Sequence, residues 1–338
     1  MFRFLPFLRY FFYIFPFSDR SLSHLIQHCL GCPPTPAETA EEPEPELPHL
    51  HSECAGPAPN LNNIRQLLIT GCDPNQISWR GLTPLHTLLA SPHAPPLQPI
   101  ASALLEAGAR LDLTDPEGRS PLNCLELLLA TDRMAEAAEL CELFLSQPGG
   151  SCDVNHIDAE DRSLLSHSVT YLDRSAELTR VLVNHGGRVW PLPAPPSPVT
   201  VPDLTRDREL SAFTWFLRSA IQASSLGGAE DTLTCLCHEM GRDPGRMKAH
   251  VSRILLSEGK HPRVLGPLYR QLRLRMAPFY TQPQHLRYLA WNSIRKSIGP
   301  KRLSTGSKQL GLPSPLRRYL TLSSRTSTAA SPAASSRD

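Results

Sequence analysis

Apolar residues recur at helical spacing in several stretches of this chain. Phe213, Phe216, Leu217 and Ile221 form one such run, and Val251, Ile254 and Leu255 another, so the pattern predicts helices across 208–276. A further run lies near the C-terminus. Leu286, Ala290, Ile294 and Ile298 stand four apart, with Leu289 and Ser293 beside them, and so line one face of a helix. Pro283 opens that helix and Gly299-Pro300 close it. Its other face carries Arg287, Arg295 and Lys296. Taken alone, this is a helix packed on the end of the preceding structure. Next comes KQLGLPSPLRRYLTL, from Lys308 to Leu322, with two prolines in a leucine-rich run. Proline is excluded from a helix interior and from a central strand. The run therefore reads as a short, bent apolar strip made to meet another surface.

The middle of the chain repeats itself. Gly81-Leu82-Thr83-Pro84-Leu85-His86 aligns with Gly118-Arg119-Ser120-Pro121-Leu122-Asn123, and a weaker copy follows at Asp161-Arg162-Ser163-Leu164-Leu165-Ser166. Helix-ending phrases come after each: Leu104-Leu105-Glu106-Ala107-Gly108-Ala109, then Leu143-Phe144-Leu145 running to Gly149, then Val181-Leu182-Val183-Asn184-His185-Gly186. A half copy, Leu67-Leu68-Ile69-Thr70-Gly71, precedes them. Thr83 is placed to cap a helix that begins at Pro84, where a missing N–H costs nothing. Leu85 is expected to point inward, and His86 to hydrogen-bond with Thr83 and nearby backbone. Gly71, Gly108 and Gly186 sit where a second helix stops and a left-handed residue is needed. Stacked units of this kind bury a continuous core and leave a surface for gripping a partner.

Composition refines this picture. The chain has 338 residues, 34 of them proline, so part of it is linker. The formal net charge is only +2, yet 33–60 carries six glutamates and no Lys or Arg, and from 285 onward the only acid is Asp338. The basic end is read as a solvated or partner-facing surface. A nucleic-acid contact is the rival, but no aromatic platform accompanies it. Nine irregularly spaced cysteines fit buried thiols in a reducing compartment. The aromatic N-terminus, MFRFLPFLRYFFYIFPF, is too short and proline-broken to span a membrane. It is read as packing on the first repeat, with a membrane-surface anchor as the alternative. Cys235-Leu236-Cys237-His238 invites a zinc reading but lacks a second pair. His24, His28, Cys29 and Cys32 with His49, His51 and Cys54 are separated by the acidic linker, which argues against a closed site. No phosphate loop or nucleophile elbow interrupts the repeats. Neither catalytic residues, a cofactor nor a metal is expected.

The Gly-x-Thr-Pro-Leu-His phrases resemble the ankyrin repeat, with Thr83, Pro84, Leu85, His86, Gly108, Pro121, Leu122 and Gly186 in its structural positions. Residues 283–322 resemble a SOCS box. Leu286, Ala290 and Ile294 match its helix, and Leu310, Leu312, Pro313, Leu316, Tyr319 and Leu320 match its Leu-Pro-Leu-Pro-x-x-Leu-Lys-x-Tyr-Leu segment. Ala290 replaces the usual cysteine and Gly311 the first proline, which loosens that segment. The order of the two motifs resembles the ankyrin-repeat and SOCS-box family. The resemblance implies an all-α fold, an ankyrin-repeat solenoid of helix-turn-helix units followed by a C-terminal three-helix SOCS box. It implies that Leu286, Leu289, Ala290 and Ile294 contact elongin C, held with elongin B. Leu310, Leu312, Pro313, Leu316, Tyr319 and Leu320 would meet cullin-5 with its RING protein. The chain would be a non-catalytic, cytoplasmic or nuclear adaptor that presents a protein substrate for ubiquitination, with no nucleic-acid or membrane partner. The implied organisation is an aromatic segment (1–32), an acidic linker (33–60), repeats (61–190), a proline-rich linker (191–207), a helical region holding a worn repeat (208–282), the box (283–322) and a disordered tail (323–338).

Overall fold

Three copies of one turn organise the first half of the chain. The N–H of Ser78, Asp115 and Asp158 donates to the carbonyl four residues on, at 2.9 Å in every copy. The N–H three residues on donates back, from Gly81 (2.8 Å), Gly118 (2.9 Å) and Asp161 (3.0 Å). Those three residues all have positive φ, +76°, +71° and +58°. Glycine adopts that conformation freely and aspartate tolerates it, which is why the weak third copy keeps the turn without glycine. The computed structural model describes residues 49–90, 96–147, 152–190, 211–240, 244–257, 262–280, 286–299 and 303–322. The readings of 1–32, 191–207, 323–338, the N-terminal histidines and cysteines and Pro283 lie outside the described residues.

The chain divides into two units, Met1–Tyr171 and Leu172–Asp338. The division falls inside the 61–190 stretch rather than at its end, at a kink where Leu172 has φ +55°. In the first unit each turn feeds a short helix. These are α3 (Pro84–Ala90), α5 (Pro121–Cys124) and α8 (Leu164–Ser168), whereas α1 (His49–Ala55) precedes the first turn. Second helices α2 (Leu61–Ile69), α4 (Gln98–Glu106) and α7 (Met134–Leu145) run behind them, and α6 (Glu126–Ala130) extends α5. First helices pack on first helices, α1 on α3 and α3 on α5, and second on second, α2 on α4 and α4 on α7. All seven residues of α3 are buried between these neighbours. Gly71 and Gly108 end α2 and α4 at φ +96°.

Helix α1 corrects the reading of 33–60 as linker throughout. Leu50, His51 and Cys54 are buried, and His49-Leu50-His51 occupies the place that Pro84-Leu85-His86 holds in the next pair. Three inward side chains in one short helix outweigh the acidic, proline-rich surroundings that hide it in the sequence.

In the second unit α9 (Ala176–Asn184) packs on α11 (Glu230–Met240), which packs on α13 (Pro262–Tyr280). Alongside, α10 (Ala212–Ala223) packs on α12 (Pro244–Ser257). Gly186, φ +94°, ends α9. Asp173 opens α11 from a distance: its carboxylate accepts the N–H groups of Glu230 (2.8 Å) and Thr232 (2.9 Å). Three helices close the described chain, α14 (Leu286–Ile298), α15 (Leu303–Gln309) and α16 (Ser314–Leu320). The fold is all-α. Among the described residues the only β pairing is an isolated bridge between Ile157 and Ser163, and no helix is long and apolar enough to cross a membrane.

Candidate partner-docking site

Helix α14 has two stripes of residues spaced four apart, and the fold buries one of them. Trp291 (1% exposed) and Arg295 (6%) face inward. Leu286 (81% exposed), Leu289, Ala290 and Ile294 face out. Trp291 and Leu320 form the centre of a cluster that Phe279, Leu312, Tyr319 and Leu322 complete. The His238 ring lies 4.8 Å from Trp291, 5.0 Å from Phe279 and 6.0 Å from Tyr319. The indole is the largest apolar surface on this helix, so its burial decides which stripe turns inward.

Arg295 fixes the helix in place. The sequence assigns it to the solvent-facing basic side, and the structure corrects that. Its guanidinium donates to Asn184 Oδ1 (2.8 Å), Val183 O (3.0 Å) and Leu320 O (3.2 Å). It also stacks over the Trp291 ring at 4.7 Å. The carbonyls belong to the last residues of α9 and α16, where helix carbonyls lack internal partners and the dipole favours a cation. Asn184 Nδ2 donates in turn to Thr321 O (2.5 Å). Helices α14 and α16 are therefore held within the unit that begins at Leu172. The apolar stripe of α14 is left facing outward while the opposite side is held rigidly.

The proline-bearing strip is also more ordered than its sequence implies. Ser314–Leu320 is a helix, because Pro313 and Pro315 lie at its start, where no intrahelical N–H bond is required. Pro313 O accepts from Leu316 and Arg317 N, both at 3.0 Å. Leu310, Pro313 and Leu316 are exposed. Leu320 is buried and Tyr319 and Leu312 are half-buried against Trp291, so these three serve the core more than a partner. Gly311 has φ +60°, a value closed to proline, whose ring holds φ near −65°. The glycine thus sets a turn between α15 and α16 that a proline there would not allow, rather than merely loosening the strip.

A second constellation lies in the first unit. His86 Nε2–H donates to Arg119 O (3.1 Å), and its Nδ1 accepts from the Thr83 hydroxyl (2.7 Å). Asn123 does the same work, accepting from the Ser120 hydroxyl (2.7 Å) and donating to His156 O (3.3 Å). His51 donates to Gln76 O (2.7 Å) and meets the Thr87 hydroxyl (3.0 Å). Burial pushes the pKa of His51 and His86 down, so both rings are neutral with the proton on Nε2 as the bonds demand. Each turn is pinned in this way by a side chain from the preceding first helix. His51 is the member of the series that sequence reasoning missed, although its Leu-His phrase signals it.

Glu126, Asp158 and His167 come together with their ligand atoms within 4.8 Å. Their geometry suits a proton rather than a metal. His167 Nδ1 faces Glu126 Oε2 at 2.9 Å, and Nε2 faces Asp158 Oδ2 at 3.2 Å, so the carboxylates flank opposite edges of the ring and do not converge on one nitrogen. Burial alone would lower the imidazole pKa, but Glu126 and Asp158 outweigh it and hold it at about 9. Arg119 adds its charge beside Glu126 at 3.4 Å. Cys235 and Cys237 are buried free thiols, and burial pushes Cys235 up to about 12. No family model matches this chain, and no curated protein matches it.

Proposed function

We propose that the chain is the substrate-recognition component of an elongin B/C–cullin-5 type E3 ubiquitin ligase. Ankyrin-type repeats would hold the target, and a SOCS box formed by α14–α16 would recruit the ligase. One observation carries the reading: α14 is anchored by Trp291 and Arg295 and turns Leu286, Leu289, Ala290 and Ile294 outward. An apolar stripe on a short, pre-positioned helix suits insertion into a hydrophobic groove, the mode expected for elongin C. Such docking loses little entropy because the helix is already formed and fixed. Leu310, Pro313 and Leu316 are the residues of the strip free to meet cullin-5. The chain itself would supply proximity to the transfer chemistry, in the cytoplasm or nucleus, and no catalytic group.

The test is reconstitution with purified elongin B/C. Wild-type chain should co-elute with it. Leu286→Asp should weaken capture by at least about thirtyfold, as for a central interface anchor. The same variant should keep its melting temperature, because Leu286 makes little contact in the free chain. Failure of the wild type to co-elute, or unchanged capture by the variant, would overturn the reading.

A further inference from the structure

Turn tips ordinarily carry polar side chains because they face water. Here they carry Ile77 (60% exposed), Trp79 (49%) and Ile157 (53%). Ile77 and Ile157 immediately precede Ser78 and Asp158, which open the first and third turns, and so occupy the same register. Thr114 holds that register in the second turn. The turns abut. A Cβ placed on Gly81 would lie 2.6 Å from Pro116 Cγ, and Ala159 N donates to Glu117 O at 3.1 Å. His156 Nε2–H donates to Gly118 O at 2.8 Å. Together with the His51, His86 and Asn123 pins, these bonds make a rigid row with apolar residues at both ends.

Charge gives the row a direction. Arg80 lies over the Trp79 ring at 4.6 Å in the first turn. The third turn exposes Asp153, Glu160 and Asp161, with Arg162 at 3.8 Å from Glu160. Within Met1–Tyr171 the chain holds 21 Asp and Glu against 9 Lys and Arg. That field attracts cations before contact is made.

We infer that this row of turns binds an extended protein segment bearing aliphatic side chains, with Lys or Arg at the end that meets the third turn. Among the described residues the isoleucines are left exposed and offer apolar area to a partner, and the pinned turns need no reordering to receive it. The acidic end selects basic over acidic segments by like-charge repulsion as well as attraction. This rests on the adaptor reading for its meaning, since the segment would be the substrate's, but the binding is measurable without any ligase component.

Fluorescence anisotropy on the full chain tests it with three short labelled peptides. One contains Lys, Val and Ser, the second replaces each Lys by Glu, and the third replaces each Val by Ser. The Lys/Val peptide should bind, and the other two should bind at least about tenfold more weakly. Ile157→Asp and Glu160→Lys should each lower its affinity by about tenfold, and added salt should lower it further. These positions are exposed, so an unchanged melting temperature certifies the fold of the variants. Equal binding of the Glu/Val peptide, no binding of any peptide, or variants within about twofold of wild type would overturn the inference. Elongin B/C capture by the same preparation separates the two readings. A chain that captures elongin and ignores the Lys/Val peptide defeats this inference alone, and the opposite result defeats the adaptor reading alone.

Discussion

The repeats of the first unit and the C-terminal helices of the second both bury polar side chains, but they satisfy them over different ranges. Thr83 with His86, Ser120 with Asn123 and Ser163 with Ser166 bond three residues apart, and the same step recurs along the chain. Arg295 reaches Val183 and Asn184, 112 and 111 residues away, and Leu320, 25 residues away. Repetition makes each polar contact a local matter plus one step to the next turn. A single long side chain does the corresponding work between α9, α14 and α16, so that region hangs on fewer residues.

The largest way to break the comparison is Trp291→Ala. Emptying the centre of the C-terminal cluster should cost about 4 kcal/mol. Hydrogen exchange should rise across α14–α16 and leave α1–α7 protected. Equal loss of protection in both regions would mean that α14–α16 are not separately held. Arg295→Met comes next. It removes the guanidinium bonds to Asn184 Oδ1, Val183 O and Leu320 O, though Val183 O keeps the Gly186 N–H at 3.2 Å. The cost should be about 3 kcal/mol, read by the same exchange measurement. Arg295→Lys should recover only part of this, because an ammonium lacks the planar fork that reaches several acceptors at once.

His86→Ala tests the repeat side and should cost about 2 kcal/mol in urea unfolding, since it removes two buried hydrogen bonds, the one to Arg119 O and the one from the Thr83 hydroxyl. His86→Asn should restore much of that, because Asn123 already performs both bonds in the next copy. If Asn is as damaging as Ala, the two positions are not equivalent. The smallest effect concerns pH. His167 has a folded pKa of about 9 against 6.5 for the free group. Its contribution is therefore complete below pH 6.5 and disappears as pH rises through about 9. Glu126 and Asp158 run the other way. Burial opposes their charge, but His167 overcomes it and holds both pKa values down, so their contribution is lost in acid. His167→Gln should flatten the decline in stability on the alkaline side, and an unchanged pH profile would remove the triad from the account.

How far the chain could be read beforehand differs between the two regions. In the repeats, the glycines at positive φ, the Ser and Thr caps and the inward leucines are local demands of the backbone, and residue type alone expresses them. Asp161 shows the limit, since an aspartate at φ +58° signals a turn less plainly than glycine does. Helix α1 escaped notice because its flanking composition outvoted a seven-residue pattern. In the strip, the two prolines suggested a break, yet they lie at the first turn of α16, where proline is harmless.

The sequence by itself determined where the short repeat helices α3, α5 and α8 begin, the turn geometry that precedes them and the presence of an apolar stripe on α14. Only the tertiary structure decided which stripe stays outside. Leu286, Ala290 and Ile294 stand four apart, and so do Trp291 and Arg295, so helical periodicity weighs both sides alike. The choice falls to Trp291, because Phe279, His238 and Leu320 gather to receive its ring, and to Arg295, because two distant helices end where its guanidinium can reach. Those partners come together only when the chain folds.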